Sequence, residues 1–342
     1  MREYFPEMIG NDGLCARIGQ EIAHHRLSHA YLLVGPPGSG KHTLARQIAA
    51  ALACESEDGA LPCGKCAPCR AILADQDPDV ITVSRGERVT LGVEQLREML
   101  SDLYVAPNWH EDKVYLIEDA ETMTSQAQNT LLKALEEPPR PVRFLLLTAD
   151  EGAMLETIRS RAPVLRMGYI APEEMKAYLM RCDRRGAALA EENPEEFASI
   201  ALAADGCIGV AKILLDARRR KPIMQKRAAA EEFLSLCVSR HTAHEVLTVL
   251  EGFPKKREET VELLELISLG VRDLLARKRA GDARFCFFAD AEKLEQMTGQ
   301  ISMSALFRLA DALAEAIAAL ERNANQRLTL LTLSQTIGLF CV

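Results

Sequence analysis

Gly35-Pro36-Pro37-Gly38-Ser39-Gly40-Lys41 lies between an apolar run, Ala30 to Val34, and a helical pattern through Leu44, Ile48 and Leu52. In that setting glycines let backbone N–H groups surround phosphate oxygens, Lys41 neutralises them, and the helix N-terminus adds its partial positive charge. The spacing predicts a loop that holds ATP or ADP through Gly35, Gly38, Gly40 and Lys41, with His42 and Thr43 opening the helix. A glycine-rich turn without a ligand is the alternative. The position after the lysine, which in such loops carries a Ser or Thr hydroxyl for magnesium, is His42, and Thr43 lies about 100° further around the helix. Binding that is weakened, or retained without efficient hydrolysis, is the expectation.

Lys113-Val114-Tyr115-Leu116-Ile117-Glu118-Asp119 puts two acids at the carboxyl end of an apolar run, the end where α/β sheets hold their ligands. Hydrolysing phosphate-loop enzymes use an Asp for magnesium and then a Glu that orients the attacking water; here the order is inverted. Glu118 can still reach a metal, whereas Asp119 is one methylene shorter than the usual base. An acidic strand end with no catalytic duty is an equal alternative.

Cys54, Cys63, Cys66 and Cys69 follow the pattern C-x8-C-x2-C-x2-C. Two-residue gaps let thiolates converge on one tetrahedral ion, and four sulfur ligands with no open position suit structural zinc. Disulfides fit a reducing compartment poorly, and an iron–sulfur cluster stays open. Cys15, Cys182, Cys207, Cys237, Cys286 and Cys341 sit in apolar contexts and read as core residues.

These groups need a scaffold. Short apolar runs at Ala30 to Val34, Val80 to Val83, Val114 to Ile117, Phe144 to Thr148 and Val164 to Met167 alternate with helical patterns. Such runs suit strands buried on both faces of a parallel sheet, so residues 1–167 read as α/β. Glu173 to Arg184 and Pro194 to Ala217 read as short helices with a break at Gly206 to Gly209, a small helical domain over 168–217. Arg218-Arg219-Arg220-Lys221-Pro222 reads as a linker, with a nucleic-acid contact as the lesser alternative. From Ile223 onward the pattern is helical. Met303, Leu306, Phe307, Ala310, Leu313, Ile317 and Leu320 recur at steps of three and four, a stripe for a core or a subunit interface.

The 342 residues are enough for two or three domains, and with 48% hydrophobic but only 5% aromatic residues the chain favours aliphatic, helix-rich packing. A net charge of −8 argues against tight DNA binding by the chain alone. No basic n-region with an apolar h-region follows Met1, and no apolar run reaches the length of a membrane span, so the cytoplasm is the expected location.

A phosphate loop whose helix runs straight into a four-cysteine insertion resembles the clamp-loader branch of the AAA+ ATPases. Asn129-Thr130-Leu131-Leu132-Lys133-Ala134-Leu135-Glu136-Glu137-Pro138-Pro139 is very similar to that family's segment after its second acidic site. Phe144 to Thr148 resembles its sensor strand, which adds Thr148 to the nucleotide-contacting residues. Thr157-Ile158-Arg159-Ser160-Arg161 resembles its Ser-Arg-Cys motif with Ala162 in place of the cysteine, and Leu320 to Leu328 is similar to its collar helices.

The resemblance implies an AAA+ nucleotide-binding module over 1–167 with a zinc insertion at 54–69, a helical lid over 168–217 and a helical collar over 222–342. It further implies a five-subunit ring with gamma/tau and delta subunits, acting on a sliding clamp and primed DNA in replication. The family's motor subunits carry a lid arginine in a Gly-Ser-x-Arg context. Aligning Gly206-Cys207-Ile208-Gly209 there leaves Gly209 at the arginine position. That favours the delta-prime branch, whose Ser-Arg arginine, here Arg161 beside Ser160, completes the ATP site of the adjacent subunit. A gamma/tau-like motor and, more remotely, a small-molecule kinase are the rivals.

Overall fold

Apolar side chains alternate along each strand and cover both faces of one sheet. The computed structural model describes residues 4–338 apart from 57–58, 87, 139–140, 240–241, 280–286 and 289–290. By compactness the chain divides into one unit of residues 4–184 with 206–210 and a second of 185–205 with 211–338.

In the first unit the order is α1 (Asp12–Ala23), β1 (Ala30–Val34), α2 (Lys41–Leu52), α3 (Ala67–Leu73), β2 (Val80–Val83), α4 (Val93–Asp102) and β3 (Lys113–Ile117). A 3-10 turn (Ala120–Thr122), α5 (Ser125–Glu136), β4 (Val142–Thr148), α6 (Glu156–Arg159), β5 (Val164–Arg166) and α7 (Pro172–Cys182) follow. The five strands are all parallel, in the order β2-β3-β4-β1-β5. This is the α/β module with a parallel sheet expected from the sequence, and a helix-rich region follows it.

Alternation divides the core. Tyr31 and Leu33 of β1 pack with Ile18 of α1 and with Leu44 and Ile48 of α2. Ala30 and Leu32 point the other way, into a cluster with Leu96 and Met99 of α4 and Leu131 and Leu135 of α5. With both faces covered, the strands present polar groups at their ends.

β3 begins one residue earlier than its apolar run because Lys113 pairs in register with Val142 of β4. Lys113 is 2% exposed, and its Nζ lies 2.7 Å from Asp102 at the end of α4, which also accepts from the Tyr115 hydroxyl at 2.7 Å.

The second unit is helical: the bulk of α8 (Arg184–Glu192), then α9 (Pro194–Ala203), the later part of α10 (Ile208–Leu214), α11 (Ala217–Val238), α12 (Ala243–Glu251), α13 (Arg257–Arg279), α14 (Ala291–Gln300), α15 (Met303–Glu321) and α16 (Gln326–Gly338). Phe233, Leu264, Ile267, Leu306, Leu313 and Leu333 centre one aliphatic core.

Three expectations change here. The basic tract Arg218 to Pro222 is not a linker but the start of α11. Asp216 caps that helix by accepting from Arg218 N–H and Arg219 N–H, and Pro222 is carried inside it. The buried face of α15 is Ala305, Leu306, Leu309, Ala312, Leu313, Ala316 and Leu320, which leaves Phe307 53% exposed. Cys15, Cys207 and Cys237 are buried but Cys182, at the end of α7, is exposed; Cys286 and Cys341 lie outside the described residues. Among the described residues no helix is long and apolar enough to cross a membrane.

Burial alone would raise the Asp102 carboxyl, but the hydrogen bonds from Lys113 and Tyr115 outweigh it and hold the group below the usual carboxylate range. The stability from this contact is therefore complete above about pH 4, the ordinary carboxylate value, and is lost as pH falls through the lower folded value. Asp102→Asn, which leaves Lys113 buried without its counter-charge, is expected to cost about 3 kcal/mol. Urea unfolding followed through Trp109, the chain's single tryptophan, measures it.

Candidate nucleotide site and cysteine cluster

β1 ends level with β4, Val34 against Thr148, and β3 ends two residues short of it, Ile117 against Leu146; the candidate nucleotide residues gather at these ends. Gly35 N–H donates to the Thr148 carbonyl at 3.1 Å, joining the phosphate loop to the end of β4. Gly38 (φ +79°) and Gly40 (φ +97°) take left-handed backbone that lets the loop fold over the start of α2. α2 has no side-chain cap, so its first-turn N–H groups face the loop's concavity without a built-in acceptor.

Lys41 Nζ turns back on the carbonyls of Gly35 and Pro36. Burial lowers its pKa, against the opposing pull of Glu121 and then Asp119. The Ser39 hydroxyl is buried with no hydrogen-bond partner. An uncapped helix, an orphaned hydroxyl and an ammonium held by its own loop fit a phosphate group, which accepts from all three.

His42 Nε2 is 2.8 Å from Glu118 Oε1, and both side chains are about one-third exposed. The hydrogen bond from His42 is the main reason the Glu118 carboxyl lies below its ordinary value, with burial opposing it. Thr43 lies on the exposed side of α2. Asp119 adopts left-handed backbone (φ 47°) and pairs at 3.3 Å with Arg85 Nε, just beyond β2. Thr148 is fully buried, and its hydroxyl donates to Asp150 O at 2.8 Å and accepts from Asp150 N at 3.1 Å.

Gly209 N–H donates to Gly38 O at 2.9 Å, and a Cβ on Gly209 would meet Gly38 Cα at 2.8 Å. Backbone thus packs directly on the phosphate loop at the position aligned with a lid arginine.

Ser160 and Arg161 close α6, and their contacts are to Thr157 and to Glu136 of α5 rather than to the phosphate loop. Arg85, Glu121 and Ser39 join the site although the sequence reading omitted them. Arg85 had a readable signal, a cation directly after a strand adjacent to β3.

The four Sγ atoms of Cys54, Cys63, Cys66 and Cys69 all lie within 4.8 Å of one another, and all four are free thiols. Zinc with Zn–S bonds near 2.3 Å needs sulfurs about 3.8 Å apart, and Cys63 Sγ to Cys69 Sγ is 4.0 Å. Gly64 (φ +68°) turns the chain so that Cys66 N–H and Lys65 N–H point at Cys63 Sγ, both at 3.4 Å. Those two donors lower the Cys63 thiol to about 6, while burial pushes the Cys69 thiol up. The donor set fits a tetrahedral ion.

Asp77, Asp79 and His110 also converge. Asp79 accepts from Asn108 N, Asn108 Nδ2, Trp109 N and His110 N, and Asp77 from Asp79 N and His110 Nε2. With those lone pairs taken, this is a clasp on the loop before β3.

Residues 10–170 match the family model described as DNA polymerase III, delta subunit. Over this segment the chain is similar to DNA polymerase III subunits. DNA polymerase III subunit gamma of Buchnera aphidicola (Schizaphis graminum) is 35% identical over 182 residues, 53% of this chain and 50% of that protein. Subunit tau of Escherichia coli is 34% identical over 175 residues, 51% of this chain and 27% of that protein. The chain thus spans half or less of the length of these curated relatives. A solved gamma subunit-related protein from Thermotoga maritima has a TM-score of 0.39 at 19% identity, covering 95% of this chain and 99% of that one.

The matched segment takes in the phosphate loop, the cysteines, Glu118-Asp119 and Ser160-Arg161. The relatives named here are gamma and tau subunits, which fits the motor alternative at least as well as the delta-prime branch.

Replacing His42 by Ala removes the donor that holds Glu118 down and leaves the burial that raises it. Carboxyl NMR should show Glu118 titrating below about pH 4.3 in the parent and higher than the parent in His42→Ala, where the Arg46 charge still opposes burial. The parent's stability from this pair is complete above that pH and is lost as pH falls through the lower folded value.

Proposed function

We propose that this chain is a delta-prime-like subunit of the DNA polymerase III clamp loader, a cytoplasmic hetero-pentameric ring with gamma/tau and delta subunits that loads a sliding clamp onto primed DNA. It holds ATP or ADP at Gly35 to Thr43 with little turnover and lends Arg161 to its neighbour's ATP site. Residues 168–217 serve as the lid and 222–342 as the collar.

The observation that carries this reading is the contact of His42 with Glu118. The side chain in the magnesium-hydroxyl position and an acid of the strand end are turned on each other, and Asp119 is engaged by Arg85. Neither acid stands ready for a metal or a water. Arg161 keeps its guanidinium on a short helix end, one-third exposed. Presented to a neighbouring subunit, such a cation stabilises charge developing on the transferred phosphoryl group and needs no chemistry from its own phosphate loop.

A gamma/tau-like motor is the second reading, favoured by the names of the relatives at 34–35% identity. It requires the His42–Glu118 contact to open when magnesium nucleotide binds. In the reconstituted ring, Arg161→Ala is expected to slow the neighbouring site roughly a thousandfold, so ring ATPase falls by that site's share while assembly is kept. Unchanged ATPase would falsify the trans role, and primed-DNA-stimulated turnover by the isolated chain would favour the motor.

We also propose structural zinc at Cys54, Cys63, Cys66 and Cys69, supported by the proximity of the four sulfurs. Elemental analysis is expected to find about one zinc per chain with no visible absorption, and Cys66→Ser to lose it and lower the melting temperature. Thiolates must be deprotonated to bind, so retention weakens as pH falls. Visible absorption with iron would mean a cluster instead.

A further inference from the structure

Arg161 Nη2 lies 2.6 Å from Glu136 Oε1, and Nη1 donates to the Thr157 carbonyl at 2.9 Å and to Ser160 Oγ at 3.2 Å. The two nitrogens are thus fixed by different elements, one by α6 and one by the last residue of α5. A guanidinium has five N–H donors, so this arrangement leaves donors on the same group for an incoming anion.

Glu136 sits where a carboxylate is least favoured. The carboxyl end of a helix carries the negative end of its dipole, so an acid there is destabilising unless a cation answers it. Lys133, one turn back, is on hand in the sequence, yet the carboxylate pairs with Arg161, 25 residues on in the chain. Its side chain is 49% exposed and that of Arg161 33%, which leaves the pair weakly held and open to exchange with a more highly charged group.

We infer that Glu136 is a positioning residue for Arg161: with Thr157 and Ser160 it holds the guanidinium from two sides, so that a neighbour's nucleotide phosphate meets a group already oriented. The inference rests on the trans-arginine reading. A free arginine loses its rotamer freedom when the phosphoryl group must be met, and Glu136 arranges that loss in advance.

The test is reconstitution of the full ring with Glu136→Ala, Glu136→Gln and Arg161→Ala, reading kcat and KM for ATP and assembly by gel filtration. Glu136→Ala is expected to lower the kcat of the served site roughly tenfold, with KM and assembly unchanged. Glu136→Gln, which keeps an accepting oxygen, should recover most of that loss, and the double variant with Arg161→Ala should be no slower than Arg161→Ala alone.

Arg161→Ala slowing the ring while Glu136→Ala does not would overturn the positioning role and leave the trans arginine standing. A faster Glu136→Ala would overturn it too, by making the carboxylate a restraint. No effect of Arg161→Ala removes the reading on which both depend.

Discussion

A parallel sheet covered on both faces leaves polar groups few places to stand. Leu32, Leu33, Tyr115, Leu116, Phe144 and Leu146 are buried on one side or the other, so no charge enters the body of the sheet without a partner. Lys113, at the amino end of β3, reaches Asp102, and Arg143 of β4 reaches Asp112. The opposite ends of β1, β3 and β4 are where backbone turns over and side chains meet solvent. Placing β1 beside β4 in register, Val34 against Thr148, brings the phosphate loop next to the acidic end of β3 one strand away. The site is a consequence of strand order.

Features that repeat at short range were legible before the structure. The five strands, the phosphate loop and the clustering of cysteines each follow from spacing within about twenty residues, because local backbone geometry decides them. What was not legible depends on partners distant in the chain. Nothing around His42 announces that its imidazole meets Glu118, and nothing around Glu136 points to Arg161. Phe307 illustrates a smaller limit: at helical spacing it belongs to the stripe, but the face that α15 buries is centred on Leu306, Leu309, Leu313 and Leu320, and Phe307 lies outside it. The basic tract misled because Pro222 reads as a stop, whereas the Asp216 cap and the helix that follows override it.

The ionic contacts of the first unit differ in what they resist. Lys113 with Asp102 is a buried cation's necessary partner, and losing it exposes the fold to an uncompensated charge. His42 with Glu118 and Arg161 with Glu136 are partly solvated pairs, each worth little to stability. Weak pairs of this kind act by setting where a side chain points. At the phosphate loop the orientation turns Glu118 onto His42, whereas beside α6 it turns the Arg161 guanidinium onto Glu136.

Gly209 makes that asymmetry hard to reverse. A histidine that became serine would restore the hydroxyl beside Lys41 in one step, and Glu118 would be released with it. Position 209 has no room for any side chain, because a Cβ there comes to 2.8 Å from the backbone of Gly38, closer than real contacts allow. The segment from Gly206 to Val210 would have to lift from the loop and give up the hydrogen bond from Gly209 N–H to Gly38 O. An arginine there requires a different backbone path, so what bars a side chain at this position is the backbone of the loop itself.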